Sequence, residues 1–174
     1  MNRISFFSTL IILIVSQFKP QQSFAQSLST TQLKFTFIHY LRIPDHYVTV
    51  VFKKEKDSVN VHAQSLPMAK AEAKWAATKK DYSFNISKAE YDQVILSIQK
   101  ISAWAIIGGA DFTGYDGTSW QIEFGNSDNA VKYSVWSADY QTEARQLQSF
   151  VNACILIIQT AKLDPKEIFK QKGS

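Results

Sequence analysis

Little in this chain is suited to covalent cross-linking or to holding a metal. It has one cysteine, three histidines, four prolines and six glycines. A lone Cys154 cannot close an internal disulfide, so an oxidising compartment adds nothing to stability. Its place in a strongly apolar run predicts a buried, inert thiol. No Cys-x-x-Cys pair and no His-Glu-x-x-His occurs, which removes the common zinc sites. No serine stands in a Gly-x-Ser-x-Gly elbow, and no Gly-Lys-Ser/Thr closes a phosphate loop. The Asp-x-Asp-x-Asp-Gly order of a calcium loop is also missing. These absences predict no cofactor and leave an enzyme as the less favoured reading.

Long apolar runs are equally scarce, and the longest lies at the N-terminus. Arg3 precedes a nearly continuous apolar stretch from Ile4 to Val15, followed by a polar segment ending in Ser23-Phe24-Ala25. That order is the signature of a cleavable secretory signal peptide over residues 1–25. A membrane anchor needs about 20 apolar residues, and here Lys19 and Pro20 come too early. The only cysteine is far from the cleavage site, so lipid attachment there is excluded. The expected product is an exported, periplasmic or extracellular protein over 26–174, with no membrane anchor after cleavage. Its oligomeric state is left open by the sequence.

Basic residues exceed acidic ones, 19 against 15. Cleavage would remove Arg3 and Lys19 and no acid, lowering the formal charge from +4 to about +2. A nucleic-acid partner calls for a strongly basic face, so none is expected. Roughly 149 residues suit one domain, which buries about 68–70% of its unfolded surface.

The mature part alternates in hydrophobicity before it turns helical. Leu33, Phe35 and Phe37 mark a strand, and Val48, Val50 and Phe52 mark its partner. A hairpin centred on Arg42–Ile43 would oppose Phe37 to Val48 and Phe35 to Val50. Further strands are expected over 58–64, 81–86, 119–124 and 131–136. The alanine-rich stretch 67–80 reads as a connection with partial helix. Ser87 and Glu90 make a capping box, opening a helix with Tyr91, Val94, Ile95, Ile98 and Ile101 on one stripe and ending before Gly108–Gly109. A long helix is predicted from about Asp139 to Ala161, stopped by Asp164–Pro165 and followed by a short polar tail. The fold class is therefore α+β: an antiparallel sheet with two amphipathic helices on one face, with a ββα pseudo-repeat hinted at by the order.

Three constellations attract attention. His39 and His46 would face each other across the first hairpin beside Asp45, a donor set that zinc accepts; packing at the edge of the core or placement on the surface is the favoured reading. The segment 108–118 holds four of the six glycines with Asp111, Tyr115 and Asp116, a loop that could approach a ligand closely or simply turn. Trp136 shares its strand face with Lys132 and Ser134, opposite Tyr133 and Val135. A Trp on an open sheet face suits a sugar or a protein partner, unless 67–80 covers it. Asn85-Ile86-Ser87 fits a glycosylation sequon, but Ser87 is accounted for as a helix cap.

The runs Asp116-Gly117-Thr118-Ser119-Trp120, Tyr133-Ser134-Val135-Trp136-Ser137 and Asn152-Ala153-Cys154 resemble small exported bacterial proteins of uncharacterised function. The resemblance covers roughly the last third of the chain and assigns no functional residue. The expected function is a non-catalytic binding or interaction domain with a protein or glycan partner in the cell envelope, contacted through Trp136, Asp111, Asp116 and Tyr115. The rival reading is a small metal-dependent or hydrolytic enzyme using His39, His46 and the 108–118 loop.

Overall fold

A computed structural model of the chain describes residues 30–40, 45–68, 79–109, 114 and 116–169. The signal-peptide segment, most of the 67–80 connection, Asp111 and Tyr115 lie outside the described residues. Six strands form one antiparallel sheet: β1 (Gln32–His39), β2 (Tyr47–Lys54), β3 (Val59–Leu66), β4 (Lys80–Ile86), β5 (Thr118–Gly125) and β6 (Ala130–Trp136). Their order is β4-β3-β2-β1-β5-β6. The first hairpin has the register expected from its apolar pairs, with Phe37 opposite Val48 and Phe35 opposite Val50.

Alternation decides which face is buried. Leu33, Phe35, Phe37, Val48, Val50, Phe52, Val59, Val61, Trp120 and Ile122 are all at most 1% exposed and share one parity. Onto them pack α1 (Lys88–Gln99), through Tyr91, Val94, Ile95 and Ile98, and α3 (Gln148–Thr160), through Phe150, Ala153, Cys154, Ile157 and Ile158. Burial raises the Cys154 thiol pKa well above its ordinary value. The capping box is present: Ser87 Oγ accepts from Glu90 N–H, and Glu90 Oε2 accepts from Ser87 N–H at 2.9 Å. The strand order shows no ββα repeat. Among the described residues, no helix is long and apolar enough to cross a membrane.

Three expectations are corrected. The helix that starts at Ser87 does not run on to the glycines. It ends at Gln99, and a separate α2 (Ala103–Gly109) begins after Ser102, whose hydroxyl accepts from Ala105 N–H at 3.3 Å. Ser102 re-caps the chain and so starts a second helix.

The helix predicted over 139–161 is likewise shorter and begins only at Gln148. Residues 138–146 form a compact turn instead. Gln146 is left-handed (φ 55°), its N–H bonds to Glu143 O, and Leu147 N–H bonds to Thr142 O. That pattern terminates a helical turn, so α3 must start afresh. The same device ends α3, with Lys162 left-handed (φ 59°) and Leu163 N–H on Ile158 O at 3.1 Å.

The polar tail is the third correction. Asp164 caps a short α4 (Pro165–Ile168), accepting from Lys166 N–H at 2.8 Å. Ile168 is fully buried, and the Phe169 ring stacks on Trp120 at 4.2 Å and meets Phe37 edge-on at 5.3 Å. What reads as a tail closes the core at the end of the sheet that carries Trp120.

Candidate binding surface on the open sheet face

The face of the sheet opposite the core is organised in transverse rows. Register places Leu66 beside Tyr47, Tyr47 beside Ile38, Ile38 beside Ser119, and Ser119 beside Trp136. This row crosses five strands, a span of about 19 Å at strand spacing. Four of its five members are apolar or aromatic, and all five are half-buried. The adjacent row runs Gln64, Thr49, Thr36, Gln121, Ser134. It is uncharged and made of hydroxyls and carboxamides, groups that both donate and accept. Thr36 and Thr49 lie deep in it, and Thr49 Oγ1 has no hydrogen-bond partner among the described residues. Sequence reasoning placed Trp136 on this face. The four side chains that complete its row only appear once the register of every strand is fixed.

The corner around Trp136 is held by groups that local sequence does not reveal. A Cβ on Gly114 would meet the Trp136 ring at 2.5 Å, and one on Gly117 would clash with both the ring and Ser137. These glycines have no positive φ; they are needed for space. The close approach that these two glycines permit is to Trp136, so Gly114, Gly117 and Trp136 form one unit. Trp136 Nε1 is enclosed without a hydrogen-bond partner among the described residues.

Arg145, absent from the sequence-based candidates, ties this corner together. It is 8% exposed and uses all five N–H groups on backbone carbonyls. Nε and Nη2 donate to Gly109 O (3.3 and 2.7 Å) and Nη2 to Trp136 O (2.9 Å). Nη1 donates to Ser137 O (2.7 Å) and Tyr140 O (3.1 Å). Burial lowers its pKa from the ordinary arginine value, and Asp139 acts in the opposite sense. The end of α2, the end of β6 and the following turn are thereby fixed to one planar group. A helical stripe offered no signal for it, since a charged residue in a predicted helix ordinarily faces water.

The histidine pair sits at the same end of the sheet and on the other side of it. His39 N–H bonds to His46 O at 2.9 Å, so the two are opposed as the hairpin predicts. His46 Nδ1–H donates to His39 O at 2.6 Å, leaving Nε2 as the acceptor in the neutral ring. Asp45 accepts from Ser65 Oγ. Asp116 is exposed beside Gly117, whose carbonyl takes Tyr40 N–H at 3.3 Å. Both histidines have the parity of Phe37 and Val48, whereas Trp136 has the opposite one. Among the described residues, no group of three His, Cys, Asp or Glu side chains is placed to hold a metal ion.

Two other features lie away from these rows. α2 turns Trp104 (82% exposed) and Ile107 (63%) to solvent from one helical face. At the far end of β5 and β6, an open cavity of about 480 Å³ is lined by Thr30, Phe124, Asn126 and Asp128 among others. No protein-family model matches this chain, and no curated protein matches it in sequence.

Proposed function

We propose that the protein is an exported binding domain whose open sheet face takes an extended glycan of the cell envelope. The reading is supported by one observation above all: a half-buried apolar row ending in Trp136 runs parallel to an uncharged hydrogen-bonding row. A sugar chain has the same two-sided character, with C–H faces that stack on aromatic rings and hydroxyls that both donate and accept. A charged ligand would find no concentration of opposite charge in either row. α1 and α3 pack on the opposite face of the sheet from both rows.

Calorimetric titration of the purified protein with envelope oligosaccharides tests the reading. Binding should be weakened about five- to thirtyfold by Tyr47→Ala and by Trp136→Ala, the loss of one well-stacked aromatic contact being worth roughly 1–2 kcal/mol. Substitution of Trp104 should leave it unchanged. Saccharide binding that survives both row substitutions would overturn the assignment, as would binding of a protein partner through the α2 ridge alone.

A further inference from the structure

The β4 edge of the same face carries a second arrangement, chemically unlike the first. His39 N–H bonds to His46 O, and Glu55 N–H bonds to Ser58 O. In an antiparallel sheet these two contacts set the phase of every ladder. Odd residues of β2 bond to even residues of β3, and odd residues of β3 bond to even residues of β4. The backbone groups of Asp81, Ser83 and Asn85 therefore point away from β3, to the outer edge of the described sheet. His62 and Ser83 are partners in register, and by this phase they form a non-hydrogen-bonded pair, the type in which side chains approach closest.

The side chains follow from that geometry. Ser83 Oγ lies 2.9 Å from His62 Nδ1, and His62 Nε2 lies 3.6 Å from Asp81 Oδ1. Asp81 is held in turn by Lys79 Nζ at 2.8 Å and by Gln64 Nε2 at 3.1 Å. The Lys79 contact, then the Gln64 hydrogen bond, lowers its pKa below the ordinary aspartate value. An anionic Asp81 favours the imidazole proton on Nε2, which turns the Nδ1 lone pair toward the Ser83 hydroxyl. This is the order of roles in a serine–histidine–carboxylate relay, with the two ring nitrogens exchanged. The nucleophile's own N–H, directed to the outer edge of the described sheet, is placed to donate to an oxyanion.

We propose that Ser83, His62 and Asp81 form a nucleophilic site that hydrolyses small acyl esters. Ser83 Oγ attacks the ester carbonyl carbon while His62 Nδ1 takes the hydroxyl proton. The carbon–oxygen bond to the alcohol then breaks, and the same proton passes to the departing alkoxide. Water attacks the acyl-serine by the reverse path, releasing the carboxylic acid and restoring Ser83. Asp81 is a positioning residue that fixes the ring and its tautomer. The site stands on an exposed edge, so a short acyl group on a larger molecule, such as an O-acylated sugar, can reach it.

Reaction of the purified protein with 4-nitrophenyl acetate and with a fluorophosphonate, followed by peptide mass mapping, tests this. The adduct should fall on Ser83 in the folded protein and be absent from Ser83→Ala. His62→Gln should slow its formation at least about 100-fold, the usual worth of a general base. Asp81→Asn should lower kcat for the acetate with KM unchanged, and Ser149→Ala, on the exposed side of α3, should react like the parent. Melting curves identify any variant that fails to fold, in which case His62→Asn replaces His62→Gln. An adduct missing from Ser83, or formed equally fast without the imidazole, overturns the proposal. Glycan binding through the Trp136 row would be untouched by that result.

Discussion

The two principal helices begin in opposite ways. α1 is started by two residues three apart, Ser87 and Glu90, whose side chains satisfy each other's backbone N–H groups. α3 has no side-chain cap at Leu147. Its start is defined by a turn that Arg145 locks from within, reaching Gly109, which lies 36 residues earlier. The first entry is a local code and can be removed without disturbing anything distant. The second is a long-range joint, and the corner carrying Trp136 depends on it.

Substitution separates the two. Arg145→Met leaves the carbonyls of Gly109, Trp136, Ser137 and Tyr140 without their donor. It should cost about 3 kcal/mol or more, since a buried acceptor left unsatisfied costs roughly 1–3 kcal/mol, and urea unfolding should show it as a lower midpoint. Arg145→Lys should recover little, because an ammonium cannot reproduce the planar fork. Ser87→Ala should cost only about 1 kcal/mol and leave hydrogen exchange at the 138–146 turn unaltered. Gln146→Gly should act the other way. Relief of a left-handed Gln is worth about 1–2 kcal/mol, part of it offset by the freer unfolded chain, so the melting temperature should rise slightly.

The smallest effect is on pH dependence. Hydrogen bonds from the Ser87 backbone, then from its side chain, lower the Glu90 pKa below the ordinary glutamate value. A carboxyl depressed in the folded state contributes stability above its unfolded pKa and loses it as pH falls through the folded one. Glu90→Gln should therefore flatten a small part of the acid limb of a melting-temperature profile and leave its neutral plateau nearly unchanged.

How much of this was legible in the sequence follows the same division. Alternation gave the strands, and the Phe37–Val48 and Phe35–Val50 pairs gave the first register. Spacing gave the α1 stripe and the burial of Cys154. Each of those rests on residues near one another in the chain or on a period that repeats. The break at Ser102 was hidden because Ile101, Ile106 and the neighbouring apolar residues continue a helical pattern in composition. Phe169 reads as part of a polar tail until the gap over Trp120 that it fills is visible. The glycines of the 108–118 loop looked like a ligand cradle, yet Gly114 and Gly117 make room for an indole from another strand. Arg145 carried no signal at all, since its partners are carbonyls, which every residue possesses.

The candidate surface shows the same limit. Trp136 could be assigned to the open face by parity alone. Ile38, Tyr47 and Leu66 join it only through four successive registers, and the row of uncharged side chains beside it needs all of them. Assigned amide spectra of the purified protein, recorded during titration with envelope oligosaccharides, test that surface most directly. The account predicts shifts confined to Leu66, Tyr47, Ile38, Ser119 and Trp136 and to the Gln64–Ser134 row. Shifts centred on Trp104 and Ile107 of α2, with the sheet rows unmoved, would contradict it.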